Sequence, residues 1–395
     1  MNYAQLFQLE ISLRALFSSK PLRWVVQRPV DIFLCLVDHY EPQVGRPTQD
    51  LARARVEDWV QRYPAIAGKH RDAEGLPPRH SFFYPVDEYD EWEFAQISQL
   101  CRDGWGELEI HLHHWDDTSD GLREKLRRAK KLWNEQGMLC RWPDGRNAFG
   151  FIHGNWALDN SRCSESPNPC GVNDELSILM EEGCYADFTF PAWGCSAQPR
   201  MMNTIYYARD NPDQPKSYDT GERIRVLQKD YLTRRHEDTK ANEDILTQGR
   251  KDAKAQSYLE SKRLLMIPGV LAPFIDKSMG HTRIAMDDSD IAVYRGYNHD
   301  RMDRWVRAGI SVKGKYDRFF IKLHSHGTID VNRESMLGVD LEALFADAEA
   351  RYNDDVHYRL HYVTAREMFN VIKATEAGAI GSIAELKEWC VRKED

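Results

Sequence analysis

Several short runs along the chain are apolar at nearly every position: DIFLCLV from Asp31, HSFFYPV from His80, GELEIHLHH from Gly106, NAFGFIHG from Asn147, CYADFTFP from Cys184, RLLMIPG from Arg263 and RFFIKLH from Arg318. Runs of this length and continuity predict strands covered on both faces, as in a parallel sheet flanked by helices. Between them the apolar period lengthens to that of a helix. In GLREKLRRAKKLW, Leu122, Leu126, Ala129, Leu132 and Trp133 fall on one stripe against a basic outer face. NDELSILMEEG predicts a second helix, with Asn173 as N-cap and Gly183 as its stop. Further on, GVDLEALFADAEARYN and VTAREMFNVIKATE predict two amphipathic helices, and Ser382 with Glu385 forms the capping box of a last short one.

Strand and helix alternate about seven times, which predicts an α/β fold: a distorted barrel of (β/α)7 type, closed or nearly so. No GxGxxG follows any of the strands, so a dinucleotide fingerprint is absent. The predicted barrel runs from 30 to 375, after an N-terminal helical arm over 1–29 and before a C-terminal helix within 376–395. From 194 to 262 the rhythm breaks. RDNPDQPKSYDTG and the Arg-, Lys-, Asp- and Gln-rich stretch that follows predict a lid-like insertion, a loop and then a charged helix over the barrel mouth.

Composition narrows the picture. With 395 residues, 42% hydrophobic and 29% charged, the chain can bury a large core. A net charge of -9 argues against a nucleic-acid partner held by phosphate neutralisation. The longest apolar runs are too short to cross a bilayer, and MNYAQLFQLEISLRALF lacks the pattern of a signal peptide, so the expected location is cytoplasmic. Eight cysteines include no CxxC pair. Cys163, Cys170, Cys184 and Cys195 share one central region; their irregular spacing reads first as free thiols packed near the core, with a second zinc site as the sharper reading.

In a parallel barrel the carboxyl ends of the strands meet at one rim, so ionisable residues there carry a functional argument. Asp38 and His39 end the first strand, His111 and His113 the third, His153 the fourth and His324 the last, with His326 just beyond; Asp187 lies on the fifth. Residues two apart on a strand share a face, which sends the imidazoles of His111 and His113 the same way. Asp38 or His39 together with two imidazoles would hold a divalent cation, zinc first and otherwise Co, Ni, Mn or Fe, leaving positions open for water and a substrate oxygen. Asp38 would then take a proton from the water, and His324 would give one to the leaving group. His153, Asn155 and Trp156 in FIHGNWALDN, with His326, are the candidate substrate contacts. Asp187 joins them as a further rim carboxylate, or else reads as the salt-bridge partner of Arg200 or a neighbouring arginine.

These strand ends resemble, in divergent form, the NodB-type polysaccharide deacetylases, the family 4 carbohydrate esterases. The resemblance spans roughly residues 30–370 and rests on the order of its motifs. The family's paired aspartates, a catalytic base followed by a ligand, are matched by Asp38 and His39 in LVDHYEP. Its two ligand histidines, four apart after a strand opening on Glu, are matched at His111, four after Glu107. Trp115 occupies the second place, so that ligand role passes to His113 or His114. The family's LxLH motif is matched by IKLH, which makes His324 the general acid. Thr189 in DFTFPAW stands where the family has an arginine that orients the aspartate, leaving Arg200 or another basic residue to substitute. The resemblance implies a metal-dependent deacetylase acting on an N-acetylated sugar or a cell-envelope glycan precursor. Two other readings stand beside it: a glycosidase of a related barrel using Asp38 and Asp187 as a carboxylate pair, and a glycan-binding relative without turnover, motivated by the missing arginine.

Overall fold

The protein was analysed as a computed structural model that describes residues 29–227, 261–277 and 282–393, together with Tyr258 and Gln8, Glu10, Ile11, Leu13 and Arg14. The apolar run VDIFLCLVDH becomes β1 (Val30–His39), buried at every position. It is an interior strand: β12 (Arg318–Ser325) pairs along one edge, and β2 (His80–Pro85) and β13 (Tyr358–Tyr362) share the other, all parallel to it. β3 (Gly106–Leu112), β5 (Asn147–His153), β6 (Cys184–Asp187) and β9 (Arg263–Met266) continue the parallel set. Each of the predicted strands is therefore present.

The complete sheet has twelve strands in the order β12-β1-β2-β3-β5-β6-β9-β7-β8, where β7 is Tyr206–Arg209 and β8 is Glu222–Arg223. The short β4 (Cys140–Arg141) and β14 (Arg392–Lys393) extend it beside β5, and β13 pairs with β1 off this path. A separate hairpin joins β10 (Ala272–Asp276) to β11 (Arg283–Asp287). The architecture is thus mixed α/β with a mostly parallel sheet.

The helices follow their apolar stripes. Helix Ser119–Glu135 starts at Thr118, whose side chain accepts from Gly121 N–H, and buries Leu122, Leu126, Ala129 and Trp133 while Leu132 stays at the margin. Each such leucine contributes about 1.5–3 kcal/mol by leaving water. Helices Val339–Tyr352 and Ala365–Glu376 form as predicted, and Ser382 and Glu385 make the reciprocal capping box that opens Ile383–Lys387. Helix Glu175–Glu181 begins one residue later than expected: Asp174 is at its N-cap, because Asn173 is engaged instead by the Asn160 side-chain amide.

The predicted lid departs from expectation. β7 lies inside it and pairs antiparallel with β9, with Ile205, Tyr206, Ala208 and Tyr218 buried in the main core. Its aromatic residues belong to the sheet because they complete the apolar cover over β9. The charged helix expected after it falls mainly within residues 228–257, and the N-terminal arm within 1–28; both lie mostly outside the described residues. No helix among the described residues is long and apolar enough to cross a membrane.

Candidate metal centre

Parallel pairing aligns the strand ends: Asp38 is opposite Ser325, His39 opposite Phe83, and Leu112 opposite His153. Just past these ends the chain converges on Glu41. Its Oε1 lies 2.9 Å from His113 Nε2 and 3.4 Å from His111 Nε2, and its Oε2 lies 2.9 Å from His326 Nδ1. The His39 ring completes the group, with its centroid 4.4 Å from His326 and 4.9 Å from His111. The rings of His111 and His113 stand 4.6 Å apart on the same side, as the two-residue spacing predicts.

The orientation of these rings is fixed from behind. His111 Nδ1 lies 2.9 Å from the Ile152 carbonyl oxygen. A carbonyl only accepts, so Nδ1 carries the hydrogen, and a neutral ring turns the lone pair of Nε2 toward Glu41. His113 Nδ1 is 3.1 Å from Asp87 Oδ2, whose carboxylate also takes the His113 backbone N–H. A carboxylate or carbonyl behind an imidazole is the usual support of a metal-binding histidine.

Charge distribution points the same way. Burial pushes the Glu41 carboxyl up, but the imidazoles of His111, His113 and His326 set against it outweigh this and hold it well below the usual carboxylate range. Burial also opposes the imidazolium of His113, yet Asp87 and Glu41 raise it to about 10. His326 is raised by Glu41 against the same opposition. His39 and His111 are held down, chiefly by burial and further by neighbouring imidazolium charge. Around one carboxylate, two imidazoles are thus shifted toward the charged form and two toward the neutral one. A divalent cation would bring positive charge to the same place and would compete with protons there. Access is from the His113 and His326 side, where the side chains are 17% and 29% exposed, against 0% for His111.

Asp38, expected to be both base and ligand, stands elsewhere. Neighbours on a strand face opposite ways, so with His39 turned into the cluster Asp38 turns out of it. Its Oδ1 accepts from Gly327 N–H at 2.7 Å, and its Oδ2 lies 3.2 Å from His80 Nε2. Trp59 Nε1–H donates to the Gly327 carbonyl at 3.1 Å. Both backbone groups of Gly327 are therefore held from outside the cluster, which sets the turn that presents His326. Asp38 is a positioning residue in this arrangement.

The remaining candidates divide. His153, expected at the substrate, joins a second group with His114, Cys170 and Glu175. His324 is buried with Nδ1 lacking a hydrogen-bond partner, and burial, followed by the charges of Lys322 and His326, holds its ring well below the usual imidazole range. Asp187 accepts from the Thr189 hydroxyl at 2.7 Å, and the same hydroxyl accepts from His153 N–H at 2.9 Å. Arg200 instead pairs with Asp219 and Glu10. Asp187 therefore does not pair with Arg200: Thr189 ties it to β5, and Lys322 adds electrostatic support. Asn155 and Trp156 take left-handed backbone conformations, φ 55° and 54°, in the turn after His153. The preceding Gly154 lies directly against the His113 ring, where a Cβ would stand 2.1 Å from Cδ2.

Three carboxyl groups of the centre escaped the sequence reading. Glu41 lies two residues beyond His39, so strand alternation alone places it on the same side. Asp87 and Glu88 follow β2 in PVDEYDE, at a strand end that the reading left without chemistry. Burial raises the Glu88 carboxyl to about 7 against the opposing charge of His113. No known protein family, no curated protein and no solved structure matches this chain.

Proposed function

We propose that this chain is a metal-dependent hydrolase, centred on Glu41, that deacylates an N-acetylated sugar or an envelope polysaccharide precursor, in keeping with the deacetylases its strand ends resemble. The observation that carries the reading is one carboxylate met by three imidazoles from the ends of β3 and β12, with a fourth from β1 beside them. His39, His111, His113, His326 and Glu41 would hold the cation. Zinc suits this mixed imidazole and carboxylate set, and Co, Ni, Mn or Fe are also accommodated. When bound, the cation supplies Lewis acidity that lowers the pKa of water and polarises an acyl oxygen.

The chain's own residues do the rest. Ile152 O and Asp87 hold the rings of His111 and His113 in place. Asp38 and Trp59 hold the turn that carries His326. We assign proton transfer to Glu88, within electrostatic range of His113 and Glu41 and with a proton affinity matched to neutral pH. Asn155 and Trp156, beside the turn that touches His113, are assigned to sugar contact. The same reading takes the sheet as a distorted barrel drawn together where Gly269 meets β12, since a Cβ there would stand 2.8 Å from the Lys322 carbonyl oxygen. It takes the protein to act in the cytoplasm.

The test is elemental analysis of the purified full-length protein, followed by measurement of acetate released from N-acetylglucosamine oligomers. Metal retention with acetate release, both lost in Glu41→Ala and His111→Ala, is the expected result. Wild-type protein that takes up no divalent metal at this centre and releases no acetate overturns the reading.

A further inference from the structure

A second constellation lies beside the first and shares none of its ligands. His114 follows β3, His153 ends β5, Cys170 sits in the irregular stretch between β5 and the next helix, and Glu175 opens helix Glu175–Glu181. One donor atom from each lies within 4.8 Å of all the others. His153 and Glu175 are fully buried, as is Cys170, and His114 is 2% exposed. We propose that these four residues form a closed, structural site for a zinc-class divalent cation, which fastens the 154–174 segment to the ends of β3 and β5.

The geometry fits such an ion. Four bonds of about 2.0–2.3 Å arranged tetrahedrally set neighbouring donors about 3.3–3.8 Å apart. Glu175 Oε1 lies 3.2 Å from His114 Nε2 and 3.6 Å from His153 Nε2, while Glu175 Oε2 lies 3.5 Å from Cys170 Sγ. One imidazole declares its lone pair. His153 Nδ1 is bonded to the Gly154 carbonyl oxygen, which only accepts, so Nδ1 carries the hydrogen and a neutral ring aims a bare Nε2 into the group. That Nε2 is buried and has no hydrogen-bond partner. A lone pair facing a carboxylate is repulsive unless a cation lies between them. Behind His114, Asp117 Oδ2 lies 3.1 Å from Nδ1 as an ion-pair contact without hydrogen-bond alignment, and is itself held by Lys125 Nζ at 2.8 Å, so a carboxylate stands beside the ring as it does at metal-binding histidines.

The surrounding chain needs such an anchor. Asp159 and Asn160 both take φ 53°, a second left-handed pair separated by two residues from Asn155 and Trp156. Conformations of this kind persist only where the surroundings over-determine them. Glu175 Oε2 also accepts the Asp159 backbone N–H at 2.6 Å, so one carboxylate ties the strained turn to the proposed ion. All four protein positions are filled and none is open to solvent, which separates this site from the Glu41 centre: a structural ion here, an accessible one there.

The inference stands independently of the proposed activity, and metal counting separates the two. Full-length protein equilibrated with Zn²⁺ and desalted is expected to retain two equivalents, with one lost in Cys170→Ser and a different one lost in Glu41→Gln. The Co²⁺-substituted wild type and Glu41→Gln proteins should both show thiolate-to-cobalt charge-transfer absorption in the near ultraviolet, absent from Cys170→Ser. The wild-type spectrum decides the matter even if Cys170→Ser fails to fold. No charge-transfer band in cobalt-loaded wild type, or a Cys170→Ser protein that folds and keeps the same metal content and band, overturns the site.

Discussion

The carboxylate of Asp38 and the backbone of Gly327 form a 2.7 Å hydrogen bond that crosses from the outer face of β1 to the turn after β12. The contact leaves no space: a methyl group on Gly327 would stand 2.4 Å from Asp38 Oδ2 and 2.4 Å from Trp59 Cζ2. Because Gly327 directly follows His326, this joint sets where that imidazole meets Glu41.

Asp38→Ala should therefore weaken the fold rather than remove a metal ligand. It strands the Gly327 N–H and the His80 imidazole in a fully buried site, at a cost of about 1–3 kcal/mol. Urea denaturation reads the loss, and elemental analysis at saturating zinc should find the wild-type metal content. Metal content that falls as far as in Glu41→Ala would instead return Asp38 to the ligand set.

Gly327→Ala tests the joint from the other side. The backbone must move to admit the methyl group, costing about 1–3 kcal/mol of stability. The displaced His326 should lower affinity for Zn²⁺ by about 10–100-fold, the usual effect of disturbing the support of a metal ligand. Competition with a chromophoric chelator measures it; unchanged affinity would remove His326 from the centre.

Metal removal should destabilise the protein by mass action. An ion held at 1,000 times its dissociation constant contributes about 4.1 kcal/mol, which a chelator abolishes. Thermal unfolding of wild type should move down by several degrees on chelation. Glu41→Gln, having one centre fewer to lose, should move less.

Away from the centre, Glu107 and Arg366 form a buried pair at 2.9 Å that fixes helix Ala365–Glu376 to β3. Burial pushes the Glu107 carboxyl up, but Arg366, Lys393 and Arg79 outweigh it and hold it well below the usual range. A carboxyl depressed by folding stabilises above its unfolded value, about 4.3, and that contribution is lost as pH falls toward the folded value. Glu107→Gln should cost about 3–5 kcal/mol at pH 7 by leaving Arg366 short of a partner. The gap from wild type should narrow steadily in denaturation series below about pH 4.3; a gap independent of pH would show that the pair is not the source.

What the chain reveals without its fold follows from local rules. Continuous apolar runs gave the parallel strands, the 3.6-residue stripe gave Ser119–Glu135, and Ser382 with Glu385 gave a helix start, because periodicity and capping act over a few residues. The shared side of His111 and His113 was legible for the same reason. Alternation applied to β1 in the same way would also have set His39 with Glu41 and turned Asp38 away. Other assignments depended on contacts between residues far apart in sequence. Alternation sends His113 and His114 opposite ways, but nothing local says that one meets Glu41 and the other Glu175, more than sixty residues further on. Cys170 gains its partners from the ends of two strands, and β7 is a sheet strand because β9 is beside it. Local sequence sets which way a side chain leaves its own strand; only the packing of strands and loops decides what it meets there.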